Sequence, residues 1–481
     1  MYSKLKRLAN DTAIYGTFNI FGRFLSFLLT PFYTNLLKQS DFGNVVYVFS
    51  IVAFVNILSG LSLDTAFFRF YQKGDSEKEK QVFSTTFLLV LASSVAIALL
   101  FFLASNFYSQ SEPSLSSMFK YAAFLPLLDS LILIPYCYLR AERKLIQFSL
   151  TRVTVIALTV GLTIYLLKYT GIGVNSVFIA NIIGSTIGII LLIPVILRNL
   201  NFSFDKDLTS ELLKFSVPII PASLSVILLQ LGDQILLKNM VSSADLALYS
   251  ANYKLAIPMM LFVTMFDYAW KPYYMNHLNE PDANVFFARV MTYFVFVCTF
   301  VFLVCVFLMK YLVAVKFFGV NFYNPIYWSS LELVVPFVLI GYFFNGVYNN
   351  LGLGLNLVKK TKYFSIAAGI AAIVNFGSNF LLIPIYGFKA AAWSTAWSYL
   401  VSAAVLYYFA RKVYTINYEF GRIAKLIIAT GVIYTIKVFA ESYFQSILLP
   451  IGLILFYPVL LLVLGFFSKT EITKFKQIIR I

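Results

Sequence analysis

The chain has 481 residues, of which 60% are hydrophobic and only 12% are charged. A water-soluble domain carries about 25% charged residues, so this composition excludes one large soluble domain. The net charge of +16 would suit a nucleic-acid-binding protein, but the basic residues are spread over many short segments rather than gathered on one face. The composition therefore predicts a membrane protein with many spans.

Fourteen apolar stretches are long enough to cross a bilayer, whose hydrocarbon core is about 30 Å thick and requires about 20 helical residues. We predict an all-α polytopic membrane protein with 14 transmembrane helices. The predicted spans lie near residues 12–34, 42–66, 83–105, 118–139, 150–167, 174–197, 212–237, 246–269, 290–312, 331–354, 363–385, 388–410, 421–440 and 445–467.

The segments between these spans alternate between rich and poor in Lys and Arg. Cationic residues remain on the cytoplasmic side of a membrane, so the alternation predicts the orientation. With the N-terminus inside, 27 of the 37 basic residues fall on inner flanks and eight, all lysine, on outer flanks. The remaining two, Arg23 and Lys254, lie within spans. Both termini are therefore predicted to be cytoplasmic.

The chain also contains an internal repeat. Residues 64–71 read DTAFFRFY and residues 267–274 read DYAWKPYY, an offset of 203. Residues 143–149 and 359–365 share a basic pair and a Phe-Ser pair at an offset of 216, and Gly171 matches Gly387 at the same offset.

Six helices are thus repeated in the same orientation, because an even number of helices per copy keeps both copies parallel. We predict two six-helix lobes in a pseudo-twofold parallel repeat, followed by two extra C-terminal helices. The predicted domains are residues 1–200 (spans 1–6), 201–412 (spans 7–12) and 413–481 (spans 13 and 14 and the C-terminal tail).

This helix pattern, the segment 64–69 and the segment 383–392 (IPIYGFKAAA) resemble the multidrug/oligosaccharidyl-lipid/polysaccharide (MOP) superfamily. Within it, the chain is most similar to Wzx-type polysaccharide repeat-unit flippases. The resemblance implies a flippase of the bacterial cytoplasmic membrane, working by alternating access, without enzymatic activity or cofactor. Its substrate would be an undecaprenyl-pyrophosphate-linked oligosaccharide, an O-antigen, capsule or exopolysaccharide repeat unit, moved from the inner to the outer leaflet.

The resemblance also implies that the extra helix pair borders a groove for the lipid tail, and that glycosyltransferases and a polysaccharide polymerase are candidate partners beside membrane lipid. We expect a monomer that binds no nucleic acid. The three cysteines form no CxxC pair and the chain has one histidine, so we expect no metal site. No Walker motif is present, and the inner connections leave no room for an ATPase.

Arg23 and Lys254 are the candidate substrate-binding residues. Arg23 lies about 16 Å deep in span 1, and Lys254 about 12 Å deep in span 8. A cation at such depth costs about 2.5–3.5 kcal/mol and should face protein, water or an anion. The resemblance places spans 1 and 8 at the central cavity, where a pyrophosphate is the anion to bind. Alternatively, Arg23 pairs with a buried acid and Lys254 extends its amine toward the outer surface.

Asp129 is the acid nearest the middle of the membrane, in span 4 between Pro126 and Pro135. Two roles fit it: a protonatable coupling site, because carboxyls buried in membranes relay protons in pumps and transporters, or a static ion-pair partner for Arg23 in the same lobe.

Polar residues near the outer end of span 7, Asp233 with Gln230 and Gln234, are candidates for contact with a sugar or a cation at the outer mouth. An interfacial Asp233 that simply faces water is the alternative.

Two acids occupy equivalent repeat positions at inner span ends. Asp64 lies near Arg69, and Asp267 near Lys271. We expect these to form ion pairs that order inner loops or close an inner gate.

Two other classes of function remain open. A drug/cation antiporter of the same superfamily is the alternative function, although such antiporters typically have twelve helices and cation sites centred on acids. A polysaccharide polymerase or ligase would require a large outer loop with catalytic groups, and the largest outer segment here is about 18 residues.

The topology predicts how introduced cysteines react with a membrane-impermeant thiol reagent. In intact cells, Ser111→Cys should be labelled, whereas Glu142→Cys and Thr361→Cys should be labelled only after permeabilisation. Labelling of Glu142→Cys in intact cells would overturn the orientation.

Overall fold

A computed structural model describes residues 2–108, 112–201, 205–276, 282–317, 319–357, 360, 362–441, 443, 446–468 and 471–473. For residues 2–17, 19, 107, 108, 272, 275, 276, 317 and 357 it describes only the backbone. Ser111, His277, Lys359 and Thr361, used in the predictions above, lie outside the described residues.

The chain is almost entirely helical, because hydrocarbon offers no hydrogen-bond partners and a helix satisfies its own backbone groups. The α-helices are α1 (Tyr2–Leu36), α2 (Gln39–Gly60), α3 (Leu63–Phe70), α4 (Ser76–Ala104), α5 (Pro113–Ala122), α6 (Phe124–Ala141), α7 (Leu145–Tyr169), α8 (Ser176–Asn199), α9 (Lys206–Ser216), α10 (Ile220–Met240), α11 (Ser243–Lys254), α12 (Ile257–Asn276), α13 (Ala283–Ala314), α14 (Leu331–Leu351), α15 (Leu353–Leu357), α16 (Lys362–Tyr386), α17 (Phe388–Val413), α18 (Phe420–Glu441) and α19 (Leu448–Val463).

Four short 3₁₀ helices occur among the described residues, at Ser105–Tyr108, Gly173–Asn175, Val217–Ile219 and Pro325–Ser330. The long predicted outer segment contains a small antiparallel hairpin, in which β1 (Lys316–Phe317) pairs with β2 (Val320–Asn321). Gly319 lies in its turn with a φ of 84°, a backbone conformation that glycine adopts without steric cost.

Ten segments of the described chain are long and apolar enough to cross a membrane, and α11 with α12, bent by 47° at their junction, are so only when taken together. The multi-pass prediction is therefore confirmed. α19 is a shorter apolar helix, while α1 and α17 have 35 and 26 residues. The count of fourteen and the arrangement of the lobes stay predictions.

The backbone repeats where the sequence does. Gly171 and Gly387, 216 positions apart, both adopt a left-handed conformation, with φ of 67° and 63°. The N–H of Lys144 donates to the carbonyl of Leu139 at 2.8 Å, and 216 residues later the N–H of Lys360 donates to that of Leu355 at 3.0 Å. Such bonds across five residues end helices with a left-handed residue in between. These matched turns support the repeat offset of 216.

By its contacts the chain divides into two units, Met1–Lys254 with Ala368–Ser394, and Leu255–Ala367 with Thr395–Ile481. This division follows packing and not the sequence repeat, so the predicted domains at 1–200, 201–412 and 413–481 stay a prediction.

In the first unit, α2 is the central helix and packs against α4, α6, α10 and α11. A hydrophobic cluster lies at the α3 end of this unit, where Leu63, Phe67, Phe83, Ile134 and Leu212 are all buried. These side chains come from α3, α4, α6 and α9, so short α3 and α9 are held by apolar packing against longer helices.

In the second unit, α13 packs against α12, α14, α18 and α19. Tyr457 of α19 is fully buried, and its hydroxyl shares a hydrogen bond with Thr299 of α13 at 2.7 Å and accepts one from Thr430 of α18 at 3.3 Å. The two last helices are therefore fastened to the rest of this unit by both apolar packing and a buried polar contact.

The last described turn is held by a charge cluster. Arg422 of α18 pairs with Glu419 at 3.1 Å and Glu471 at 3.0 Å. Partial burial raises the pKa of Glu471, but hydrogen bonds from Ser468 and Tyr293 and the charge of Arg422 outweigh it and hold the pKa at about 2. Since a lowered carboxyl pKa favours the folded state above about pH 4, this contact is lost only as the pH falls toward 2.

A second charge cluster links three helices of the same unit. Lys437 of α18, 5% exposed, pairs with Glu332 of α14 at 3.1 Å and with Glu441 one turn later. Glu441 also pairs with Lys310 of α13. The predicted outer lysine Lys437 therefore lies inside the protein and holds α18 against α14.

This cluster generates a stability prediction. Lys437→Ala should lower the free energy of unfolding by about 3 kcal/mol, the lower end of the range for breaking a buried ion pair, because Glu441 keeps Lys310. The apparent melting temperature of the detergent-solubilised protein measures the change. Lys120→Ala, which removes an exposed lysine, is the control and should leave the melting temperature unchanged. Equal melting temperatures for both variants would contradict a structural role for Lys437.

Candidate functional site

Asp129 lies on α6, where it faces two neutral polar side chains. Asn56 of α2 donates to its Oδ2 atom at 3.1 Å, and Ser185 of α8 donates to its Oδ1 atom at 3.0 Å. No described contact of Asp129 involves Arg23, so its role as the partner of Arg23 stays a prediction. The structure brings together three helices of the first unit around one carboxylate.

Three of the helices that pack against α6 carry no charged side chain over most of their length. The parts of the neighbouring helices α2, α4 and α8 at residues 42–60, 81–104 and 176–197 hold no Asp, Glu, Lys or Arg. The Oδ1 atom of Asn56 is buried, and no group of the described residues donates to it. A carboxylate among neutral donors, with an unsatisfied amide oxygen beside it, is a chemical setting in which a small cation can bind.

Asp233 of α10 is 2% exposed and does not face water. Its Oδ2 atom accepts a hydrogen bond from the hydroxyl of Tyr249 on α11, and its Oδ1 atom accepts from the backbone N–H of Gln234 at 2.8 Å. Gln234 accepts from Ser50 of α2 at 2.7 Å, while Gln230 is exposed. Asp233 and Gln234 thus join α2, α10 and α11, and contact of this group with a sugar or a cation stays a prediction.

Lys254, at the end of α11, is half-buried against aromatic rings. Its Nζ atom lies 5.9 Å from the ring centre of Tyr33 on α1 and 5.9 Å from that of Phe42 on α2. The face of an aromatic ring attracts a cation, so this contact orients the amine inward. Lys254 does not simply extend along apolar surface to water.

Arg23 is exposed on α1, ten residues before Tyr33. At 1.5 Å of rise per residue, the two positions are about 15 Å apart along the helix. The aromatic contact of Lys254 on α1 therefore starts about 15 Å along the helix from the position of Arg23, and the binding of one pyrophosphate by both cations stays a prediction.

The expected ion pairs at the inner ends form in one copy of the repeat. Lys271 and Asp267 of α12 pair at 2.7 Å. Among the ion pairs of the described residues, none joins Asp64 to Arg69; the guanidinium of Arg69 instead lies 4.3 Å from the ring centre of Phe215 on α9.

A third inner contact was not expected from the sequence. Lys73 pairs with Glu142 at 2.9 Å, and the hydroxyl of Tyr71 donates to the same carboxylate at 2.9 Å. Partial burial raises the pKa of Glu142, but these two hydrogen bonds outweigh it, so the pKa lies below its ordinary value. The contact ties the end of α3 to the end of α6.

The second unit contains an apolar cavity of about 460 Å³. It is bordered by α12, α13, α14 and α18, and Glu332 is its only charged lining residue among those described. Side chains that line it include Met259, Phe302, Phe337, Phe344, Ile427 and Tyr434. Sequence reasoning from charges missed this cavity, since apolar residues in apolar spans give no local signal.

Asn56, Ser185 and Ser50 were not predicted as site residues, because the prediction relied on charged residues and these three are neutral. A search for amides inside apolar spans would have found Asn56.

Solved structures similar to this chain show its fold, and a matching family model shows its family. A comparison with curated proteins gives no match. Among solved structures, the chain is similar to the lipid II flippase MurJ in an inward closed conformation, with a TM-score of 0.73 and 13% identity over 94% of this chain and 98% of that one. It is also similar to an inward-facing multidrug resistance MATE family transporter, with a TM-score of 0.62 and 14% identity over 84% of this chain and 95% of that one.

A mutant of the Vibrio cholerae MATE transporter VcmN gives a TM-score of 0.60 and 15% identity, over 85% of this chain and 98% of that one. At such low identities these likenesses show the fold alone. Residues 8–277, more than half of the chain, match the family described as polysaccharide biosynthesis protein. The chain belongs to this family, within the MOP superfamily.

Proposed function

We propose that the protein is a flippase that moves an undecaprenyl-pyrophosphate-linked oligosaccharide from the inner to the outer leaflet of the bacterial cytoplasmic membrane. The main support for this proposal is the apolar cavity beside α18, in a chain that belongs to a polysaccharide biosynthesis family. Glycosyltransferases and a polymerase are the proposed partners, and both termini are proposed to be cytoplasmic.

The cavity fits the lipid part of such a substrate. Its lining is aromatic and aliphatic, and each CH₂ group buried there contributes about 0.8 kcal/mol. α18, the first of the two helices without a counterpart in the repeat, forms one wall. An apolar wall supplied by an added helix is what a carrier with a prenyl tail requires and a purely polar substrate does not.

Arg23 is proposed to bind the pyrophosphate. Its planar guanidinium donates two parallel hydrogen bonds to phosphate oxygens, and its place in a span of α1 would otherwise be costly. Because Tyr33, whose ring contacts Lys254, lies about 15 Å further along α1 than Arg23, we propose that the two cations contact the anion at successive stages of transport, Arg23 from the inner side and Lys254 nearer the outer side.

A specific observation favours the alternative, a drug/cation antiporter of the same superfamily. The carboxylate of Asp129 with Asn56 and Ser185 is a setting for a coupling cation, as an antiporter requires. Export of surface polysaccharide and efflux of a cationic dye, measured in the same cells, separate the two: the flippase restores only the first.

If Arg23 binds the pyrophosphate, its substitutions should reduce polysaccharide export to different degrees. Arg23→Ala should abolish most polysaccharide export in cells that lack their own flippase, because removing a charged partner from a desolvated anion costs about 2–5 kcal/mol. Arg23→Lys keeps the charge without the bidentate geometry and should be impaired less. Arg198→Ala, at an exposed position at the end of α8, is the control. Full export by Arg23→Ala at normal membrane levels would rule out the anion site.

The lipid-tail assignment is tested by filling the cavity. Gly431 lines the cavity, and a Cβ atom added there meets no atom within 4 Å. Since the first side-chain atom is accommodated, Gly431→Phe should place its ring in the cavity and reduce export. Gly452→Phe, at an equally open glycine of α19 outside the cavity lining, is the matched control. Equal export by the two variants would show that the cavity does not receive the lipid.

A further inference from the structure

The apolar cavity of the second unit has one charged end. Glu332, in the first turn of α14, lines that end, and Phe343 and Phe344 of the same helix line the cavity further along. At 1.5 Å of rise per residue, Glu332 and Phe344 are about 18 Å apart along α14. On the predicted topology Glu332 lies at the outer end of a span. The cavity therefore extends from the predicted outer interface toward the middle of the membrane.

Four charged side chains meet at this end of the cavity, and we call them the outer cluster. The Nζ atom of Lys437 on α18 lies 3.1 Å from Glu332 and 2.5 Å from Glu441. Glu441 also pairs with Lys310 of α13, so two lysines and two glutamates balance in charge. Tyr434, one turn before Lys437 on α18, lines the cavity. The amine of Lys437 thus lies at the cavity's outer mouth, in contact with a carboxylate that lines it.

The two glutamates of the outer cluster are held differently. Glu441 is shared by both lysines, and its side chain is 24% exposed. Among the ion pairs of the described residues, Glu332 has Lys437 as its one partner, and its side chain is 68% exposed. An ion pair whose acid faces solvent contributes little to stability. Glu332 is therefore the carboxylate that a competing anion displaces more easily.

We propose that Lys437 is a phosphate subsite at the outer mouth of the cavity, and that Glu332 occupies this subsite until a phosphate group of a prenyl pyrophosphate takes its place. The prenyl chain of this ligand lies in the apolar cavity, and its head group lies at the outer interface. The identity of the ligand as the lipid carrier rests on the proposed function.

The exchange of one anion for another suits this position. A buried ammonium requires a negative partner, because an unpaired charge inside the protein is costly. A phosphate oxygen accepts the same charge-assisted hydrogen bond as a carboxylate oxygen, and the N-terminal end of α14 favours either anion. A polar anion without a chain gains nothing from the apolar wall, and an uncharged lipid gains nothing from Lys437. The site therefore selects a molecule that has both parts.

Binding of two prenyl probes to the purified full-length protein in detergent tests the subsite, with native mass spectrometry as the measurement. Geranylgeranyl pyrophosphate carries the head group, and geranylgeraniol carries the same chain without it. Glu332→Gln should bind the pyrophosphate about fivefold more tightly than the unaltered protein, because the competing carboxylate is gone. Its affinity for the alcohol should not change.

Glu419→Gln is the matched control for this variant. It makes the same change of charge just before α18, where Arg422 keeps Glu471 as a partner, and it should alter neither affinity. Equal affinities of Glu332→Gln and Glu419→Gln for the pyrophosphate would overturn the subsite.

Two further variants locate the two parts of the ligand. Glu332→Gln combined with Lys437→Gln removes both charges of one pair while Glu441 keeps Lys310, so it should lose the tighter binding of the pyrophosphate and still bind the alcohol. Gly431→Phe should weaken the binding of both probes, because its ring occupies the cavity. Unchanged binding of both probes by Gly431→Phe would overturn the placement of the chain.

The source of the phosphate is tested by competition. Phosphatidylglycerol, an anionic lipid with two acyl chains, should not displace the prenyl pyrophosphate at equal concentration. Displacement would overturn the assignment to a prenyl carrier.

The binding measurements are independent of transport, so they separate the subsite from the proposed function. If the probes bind as expected while the unaltered protein fails to restore polysaccharide export, the subsite stands and the flippase assignment fails. If export is restored while Glu332→Gln binds the pyrophosphate no more tightly than Glu419→Gln, the flippase assignment stands and the subsite fails.

Discussion

The hydrocarbon core offers no hydrogen-bond partners, and this constraint decides how polar groups in the spans are arranged. Some return to their own helix, as Thr163 does by donating to the carbonyl of Thr159 at 2.7 Å. Others meet a polar group of another helix, as Asp129 meets Asn56. Since an unsatisfied polar group in an apolar medium costs several kcal/mol, each such pair also determines which helices touch.

α2 shows this effect along its whole length. Asn44, Ser50 and Asn56 are spaced six residues apart, so they point to different sides of the helix. They bond to α11, α10 and α6 in turn. One helix therefore meets helices from both predicted halves of the repeat, which explains why packing groups residues 1–254 together although the repeat divides them.

The two C-terminal helices are fixed at three levels by different chemistry. Arg422 holds one end of α18 through two carboxylates, Tyr457 joins α19 to α13 and α18 at the middle, and Lys437 fastens the other end of α18 to α14. These contacts keep α18 in place as a wall of the apolar cavity. With such anchors the two C-terminal helices are packed into the second unit, and α18 forms part of the cavity wall.

Apolar length determined the membrane class, because transfer into hydrocarbon depends on local composition. With the asymmetry of basic residues it also predicts the spans and the orientation. The offset of 216 was also readable, since the same turn chemistry recurs at Lys144 and Lys360. The interactions of single polar residues were not readable. Asp129 and Asp233 are both single acids in apolar segments. Asp129 accepts hydrogen bonds from Asn56 and Ser185, whereas Asp233 accepts one from the buried Tyr249. Helix packing determines these partners, which lie 16 to 73 residues away in the sequence. The contact of Lys254 with the rings of Tyr33 and Phe42, the close approach of Gly43 to the carbonyl of Ser243 and the cavity beside α18 were likewise decided only by the tertiary structure. Tertiary structure sets distances that no local pattern encodes.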